Sequence, residues 1–172
     1  MENSIDRLFQ EWHRLGGRVL LAEADSTVNA RAREKLIANS TAHCRESGRL
    51  TWVVLDWLMR HIEEIDEYKL LKETRESGDL SVLGVLCDAA SQRHPHPKFE
   101  RLIRSCAPHP QLAPFFHRVA RSPLALRQAR DNALEIFRRW NYLLSELRYL
   151  GDEIGQAQPQ TAVTEPSPPD KS

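Results

Sequence analysis

The sequence predicts an all-α protein: a compact bundle of about six to eight helices, with a long C-terminal amphipathic helix and a disordered tail. Apolar residues recur at the helical spacing i, i+3, i+4, i+7 along most of the chain. Glycines, prolines and capping side chains separate these periodic stretches. A composition of 41% hydrophobic and 28% charged residues is typical of a soluble globular protein. We therefore predict a single helical domain, residues 1–150, followed by a Pro-rich acidic disordered tail, residues 151–172.

The apolar pattern of the first half of the domain predicts three helices, which differ in how many of their sides are apolar. The first has helical spacing and ends at paired glycines: Ile5, Leu8, Phe9, Trp12, Leu15, then Gly16 and Gly17. The second, over residues 28–47, has a thin apolar face, so we expect it to pack on one side only: Val28, Ala32, Leu36, Ile37. The third, "LTWVVLDWLMRHIEEI", is apolar on nearly all sides, which predicts a central helix.

Three shorter helices and a proline-rich connection come next. "EYKLLKETRES" is amphipathic and stops at Gly78, and Asp79 or Ser81 can cap "LSVLGVLCDAASQ". Pro97 suits the first turn of a helix over "PKFERLIRSC", and Pro110 of "APHPQL" suits the start of another.

The last predicted helix is the longest. Ser122 and Pro123 give it a cap and a first turn. Its apolar seam alternates steps of three and four over about 37 Å at about 1.5 Å per residue: Leu126, Ala129, Ala133, Ile136, Trp140, Leu143, Leu147, Leu150. Such a seam could pair two copies of the chain, so a homo-oligomer through this helix is one expectation.

Composition also excludes some classes of function. The formal net charge is zero, whereas a protein that binds nucleic acid over its whole surface is usually strongly basic. The longest apolar run is interrupted by Asp56, so we expect no membrane span, and the charged N-terminus does not resemble a secretory signal. We therefore expect a cytoplasmic protein, whose three cysteines are buried thiols rather than a disulfide framework.

A histidine-rich stretch offers a weak candidate for a metal site. Cys106 and His109 have a spacing that zinc ligands use, and His94 and His96 lie close to them in sequence. Pro95 and Pro97 fix extended backbone around His96, and Cys106 falls on the apolar face of the helix between the two pairs. We favour the interpretation without metal, in which these residues belong to the connections between helices.

Catalytic patterns are scarce. The chain has no glycine-rich phosphate loop, no H-E-x-x-H motif and no nucleophile elbow. His61 and Glu64 could meet one turn apart and form a general base, but a solvated helix end has the same pattern. We therefore expect neither an enzyme nor a cofactor, and a metal-dependent enzyme is the third alternative.

Asp56 raises a separate question, because it lies in the most apolar helix. It lies either on a wet edge of that helix or in a structural ion pair with Arg60, one turn later. A buried carboxylate needs such a partner.

Charge is unevenly distributed along the chain. Residues 1–93 hold 13 basic and 16 acidic residues, residues 94–150 hold 10 and 4, and residues 151–172 hold 1 and 4. Four arginines of the last predicted helix fall on one arc opposite the seam, and two more precede it: Arg127, Arg130, Arg138, Arg148, with Arg118 and Arg121. This face could bind an acidic protein or a nucleic acid.

From these observations we expect a non-enzymatic cytoplasmic protein-interaction module, a subunit or regulator of a larger complex. The alternative is a helical subunit associated with nucleic acid through the basic face of residues 94–150.

Overall fold

The computed structural model describes residues 3–19, 21, 32–116, 124 and 133–144. These residues are mostly helical, which confirms the predicted class. The helices are α1 (Ser4–Arg14), α2 (Arg33–Thr41), α3 (Gly48–His61), α4 (Glu67–Ser77), α5 (Leu80–Arg93), α6 (Pro97–Ser105) and α7 (Glu135–Arg139). Two 3-10 turns, Cys44–Glu46 and Ile62–Glu64, and two short strands, β1 (Ala113–Pro114) and β2 (Tyr142–Leu143), complete the description.

Helices α3 and α5 form the centre of the core. The Ser47 hydroxyl accepts the Leu50 N–H at 3.2 Å and so caps the first turn of α3. Residues 53–58 of α3 are all buried, which confirms that this helix is central. Residues 81–88 of α5 are buried as well, and α5 contacts α2, α3, α4 and α6.

Helix α2 is buried more deeply than its sequence indicates. It contacts α1, α3, α4 and α5, so the prediction of one-sided packing is wrong. Leu36, Ile37 and Ala38 are fully buried, whereas Ala32 is exposed at the N-cap and Val28 lies outside the described residues. Polar residues of α2 are also buried because distant groups bind them: Ser40 Oγ accepts the Trp12 indole N–H at 2.9 Å.

Capping groups set the starts of α4, α5 and α6. The Asp66 carboxylate accepts the Lys69 N–H at 3.1 Å, and Asp79 Oδ1 accepts the Ser81 N–H at 2.9 Å. His96 Nδ1 accepts the Lys98 N–H at 3.2 Å, which places Pro97 in the first turn of α6 as predicted.

The C-terminal residues differ from the prediction of one long helix. Of the predicted seam, the structure describes Ala133, Ile136, Trp140 and Leu143, and Ile136 alone of these lies within a helix, the short α7. Asn141 has φ 61° and ends α7 in the left-handed conformation, which asparagine tolerates better than most residues. The chain then extends into β2, which pairs in parallel with β1 through Ala113–Tyr142 and Pro114–Leu143.

The physical reason for this difference is non-local. A continuous helix would turn Trp140 and Tyr142 to different faces, whereas the bend at Asn141 lets both rings enter the core. Residues 106–112 are likewise not helical, so the predicted helix start at Pro110 is wrong. The other seam residues, Leu126, Ala129, Leu147 and Leu150, and the tail 151–172 lie outside the described residues.

Within the part of the chain that the structure describes, no helix combines the length and the apolar character that crossing a bilayer requires.

Candidate functional site

The predicted basic face lies mostly outside the described residues. Arg138 is exposed on α7. The other five arginines of the set have no described position: Arg118, Arg121, Arg127, Arg130 and Arg148. Whether these six side chains share one surface therefore stays a prediction.

The Asp56 carboxylate is buried and lies against two arginines. Arg60 approaches Asp56 Oδ2 with Nε at 2.9 Å and Nη2 at 2.8 Å, a pair of short charge-assisted contacts. Arg18 Nη1 lies 4.0 Å from Asp56 Oδ1. Because Asp56 is only 5% exposed, these guanidinium groups rather than water are its main polar neighbours.

His61 lies at the surface end of the same helix. Its Nδ1 is 2.8 Å from Glu64 Oε2, and its ring stacks on Trp57 with the centroids 4.8 Å apart. Its Nε2 lies 3.4 Å from Arg60 Nη1, and Arg33 Nη1 lies 3.8 Å from the same Glu64 carboxylate. Both ring nitrogens thus have protein neighbours, and the group is a surface charge cluster around the end of α3.

The four weak metal candidates serve other contacts. His94 is exposed, His96 caps α6, and Cys106 is partly buried beside the core. His109 Nδ1 lies 2.5 Å from the Gln111 carbonyl oxygen. Among the described residues, which include all four, no three His, Cys, Asp or Glu side chains are grouped so as to hold a metal ion.

The described cysteines are thiols with weak acidity. Burial raises the pKa of Cys44 to about 12, against a smaller lowering effect of the hydrogen bond with Thr51. Burial likewise raises the pKa of Cys106 to about 12 and that of Cys87 well above its ordinary value. A cysteine that acts as a thiolate nucleophile needs a lowered pKa, which is the opposite of the shift at these three positions.

A more specific arrangement joins the C-terminal residues to α5. We call residues 109–116 and 133–144 the C-terminal ribbon, and Ser81, Gly84 and Asp88 the α5 face. The spacing of the α5 face, i, i+3, i+7, puts its three residues on one side of the helix. Trp140 fills the space beside Gly84 so closely that a Cβ at position 84 would lie 2.2 Å from the indole Cζ3.

Asp88 binds two neighbouring residues of the ribbon. The Trp140 indole N–H donates to Asp88 Oδ2 at 2.9 Å, and Arg139 Nη2 lies 3.4 Å from the same carboxylate. Asp88 and Trp140 are buried, so a lost partner would leave a polar group unsatisfied away from water.

Tyr142 enters a buried polar network at the start of α5. Its hydroxyl lies 2.5 Å from Ser81 Oγ, which in turn lies 2.5 Å from Asp79 Oδ1. The Asp79 N–H donates to Thr41 Oγ1 at 2.9 Å, so the network reaches α2. Burial raises the pKa of Tyr142, while the hydrogen bond to Ser81 has a smaller lowering effect.

Arg45, which lies outside α5, also binds the ribbon. Its guanidinium donates to the carbonyls of Pro114 and Phe115 at 2.8 and 2.9 Å, and it lies 4.9 Å from the centre of the Tyr142 ring. Arg45 thereby satisfies the carbonyl of Pro114 in β1 and that of Phe115 just after it, and the same guanidinium contacts the Tyr142 ring in β2.

Two apolar side chains of the ribbon are exposed, Leu112 and Leu134. Four large hydrophobic residues are exposed in the described part of the chain: Tyr68 (78%), Leu112 (49%), Leu124 (67%) and Leu134 (38%). Leu112 precedes β1, and the Leu134 N–H donates to the Leu144 carbonyl at 2.9 Å. The Ala113 and Phe115 N–H groups donate to the Asn141 and Leu143 carbonyls, whereas the Leu134 N–H donates to the Leu144 carbonyl, so residues 113–115 and Leu134 bond to different edges of β2.

Sequence reasoning missed the α5 face and Arg45. A glycine within the apolar stretch "SVLGVLCD" was the available signal, because glycine inside a helix often marks a close approach. The spacing places its partner, Trp140, in a predicted helical seam, so the pattern gives no reason to connect Gly84 with Trp140.

Comparison with known proteins finds no similarity that would assign a family: no protein-family model, no curated protein and no solved structure matches the chain.

Proposed function

We propose that this protein is a non-enzymatic helical protein-interaction module of the cytoplasm, a subunit or regulator of a larger complex. The partner surface is the outer side of the C-terminal ribbon. The observation that carries this proposal is the exposure of Leu112 and Leu134 on a ribbon whose inner side is fixed by Arg45, Trp140 and Tyr142.

This arrangement suits recognition of a partner for two reasons. The polar anchors on the inner side hold the ribbon in place, so that exposed leucines are presented on a pre-organised surface. Arg138 is exposed four residues after Leu134 and adds positive charge to the rim. An apolar centre with a basic rim fits a protein partner with an acidic, amphipathic surface.

Site-specific photo-crosslinking in native cell extract tests the proposal. A photoreactive benzoylphenylalanine replaces Leu112, Leu134 or, as a control on α4, Tyr68, which is more exposed than either leucine. We expect the two ribbon positions to label the same protein, the Tyr68 position not to label it, and Arg138→Glu to weaken the labelling.

Two outcomes would contradict the proposal. Equal labelling from all three positions would show that exposure alone determines the crosslinks. Crosslinks to nucleic acid, weakened by salt, would favour the alternative of a nucleic-acid-associated subunit.

A further inference from the structure

The inner side of the ribbon has the properties of a bound peptide. Three side chains within four residues, Arg139, Trp140 and Tyr142, make directed contacts with the α5 face. Tryptophan, tyrosine and arginine are the residues that dominate the energetics of protein interfaces. Their contacts here combine an aromatic ring in a fitted space with buried hydrogen bonds, rather than aliphatic packing alone.

The α5 face provides one complementary feature for each of these side chains. Gly84 leaves the space for the indole, Asp88 supplies the acceptor and the negative charge, and Ser81 meets the tyrosine hydroxyl. Arg45 adds a cation over the tyrosine ring from outside α5. These four groups belong to the chain before residue 89, and residues 109–116 add only ring contacts to Tyr142, from Phe115 and His109.

We propose that the α5 face is a binding site for peptides with an arginine–tryptophan–x–tyrosine motif, which the chain's own residues 139–142 occupy as an intramolecular ligand. Three chemical groups define the occupant. An arginine next to the tryptophan pairs with Asp88, the tryptophan indole fills the space beside Gly84, and the hydroxyl of a tyrosine two residues later meets Ser81. A partner protein that carries this motif competes with the ribbon for the same face.

Covalent attachment gives the internal segment a large advantage over a free peptide. A tethered segment acts at an effective concentration of about millimolar for short flexible linkers, so a peptide of equal intrinsic affinity scarcely displaces it. Binding of a free peptide therefore becomes measurable when the contacts of residues 139–142 are removed and the α5 face itself is left intact.

The experiment uses the full chain with Arg139→Ala, Trp140→Ala and Tyr142→Ala, here called the released variant. The probe is a fluorescent peptide of residues 133–144, ALEIFRRWNYLL, and its Trp→Ala form is the control. We expect the probe to bind the released variant at least tenfold more tightly than the wild-type chain, and to raise its Tm progressively as the peptide concentration increases. Adding Gly84→Leu to the released variant fills the indole space and abolishes both effects.

A milder variant covers the case in which the released variant does not fold. Arg139→Ala with Trp140→Phe keeps a ring beside Gly84 but removes both donors to Asp88, so we expect it to bind the probe with intermediate affinity. Equal affinity for wild type and variants, or affinity unchanged by Gly84→Leu, overturns the proposal. Failure of both variants to fold, even with saturating peptide, also overturns it, because the segment would then be core rather than ligand.

This inference goes beyond the proposed function and concerns the opposite side of the ribbon. Crosslinking from Leu134 tests the outer surface and peptide binding tests the α5 face, so either result can fail while the other stands.

Discussion

At the scale of single residues, the space beside Gly84 depends on one missing methyl group. A Cβ at this position would lie 2.2 and 2.3 Å from two carbons of the Trp140 ring, far inside van der Waals contact. Alanine would favour the helix by about 1 kcal/mol, but this position has no space for its Cβ.

We expect Gly84→Ala to destabilise the protein by about 1–3 kcal/mol, the usual cost of overpacking a filled core. In a Trp140→Leu background the clash disappears, so the same substitution becomes neutral or stabilising by up to about 1 kcal/mol. Urea unfolding of the four proteins in this cycle measures both effects. A cost for Gly84→Ala that is the same in both backgrounds would contradict the role assigned to the indole.

The ion pair on α3 is also a residue-scale feature. We expect a double-mutant cycle of Asp56→Asn and Arg60→Gln to give a coupling energy of about 1–3 kcal/mol, since the carboxylate is buried. The matched control is the exposed pair of Glu67 and Arg101, in contact at 2.6 Å, for which we expect a smaller coupling. If Asp56→Asn leaves stability unchanged between pH 5 and 8, the ion pair has no structural role.

At the scale of elements, local signals predict α1, α3, α4, α5 and α6 correctly. Each carries its own apolar period, and their starts depend on neighbours in sequence such as Ser47, Asp66, Asp79 and His96. Such signals need no information from the rest of the fold, which is why periodicity and capping suffice.

Two elements could not be predicted in this way because distant groups decide them. The buried polar residues of α2 resemble a solvated face, and Ser40 meets its partner, Trp12, from another helix. The last seam has helical spacing, yet Trp140 and Tyr142 bind Asp88 and Ser81 on α5. These contacts outweigh local helix propensity, which amounts to less than about 1 kcal/mol per residue.

Arg45 links the ribbon to the helical core, so its loss should affect one element selectively. We expect Arg45→Met to speed amide hydrogen exchange at Ala113, Phe115 and Leu134, whose N–H groups bond within the ribbon, by tenfold or more. Residues 53–58 of α3 should keep their protection. Arg45→Lys retains the positive charge but not the two-donor geometry of the guanidinium. Its exchange rates in the ribbon should therefore lie between those of the wild type and of Arg45→Met. Uniform loss of protection across the chain would show instead that Arg45 supports the whole fold.

At the scale of the whole molecule, cysteine thiols and a tyrosine hydroxyl with raised pKa values make the folded protein less stable at alkaline pH. The pKa of Cys44 and of Cys106 is about 12 in the folded protein against 9.0 ordinarily, and that of Tyr142 is also raised. The unfolded chain therefore loses these protons first as pH rises. The stability they contribute is fully present below pH 9 and is lost between pH 9 and about 12.

We expect the free energy of unfolding to decrease steadily from pH 9 to pH 11, measured by urea denaturation at each pH. Cys106→Ala removes one titrating group and should make this decline shallower by up to about 1.4 kcal/mol per pH unit. Ser105→Ala, at an exposed neighbouring position, is the control and should leave the slope unchanged. Identical slopes for wild type and Cys106→Ala would refute the assignment.

The parallel pairing of β1 with β2 has a consequence for synthesis on the ribosome. Phe115 and its partner Leu143 are separated by nearly thirty positions in sequence, and translation at about 5–20 residues per second takes roughly 1.4 to 6 seconds to cover them. Helices α2 to α6 form far faster than this. If residues 139–142 are the ligand of the α5 face, as we propose, we expect Gly84 and Asp88 to be accessible to other aromatic peptides during that interval.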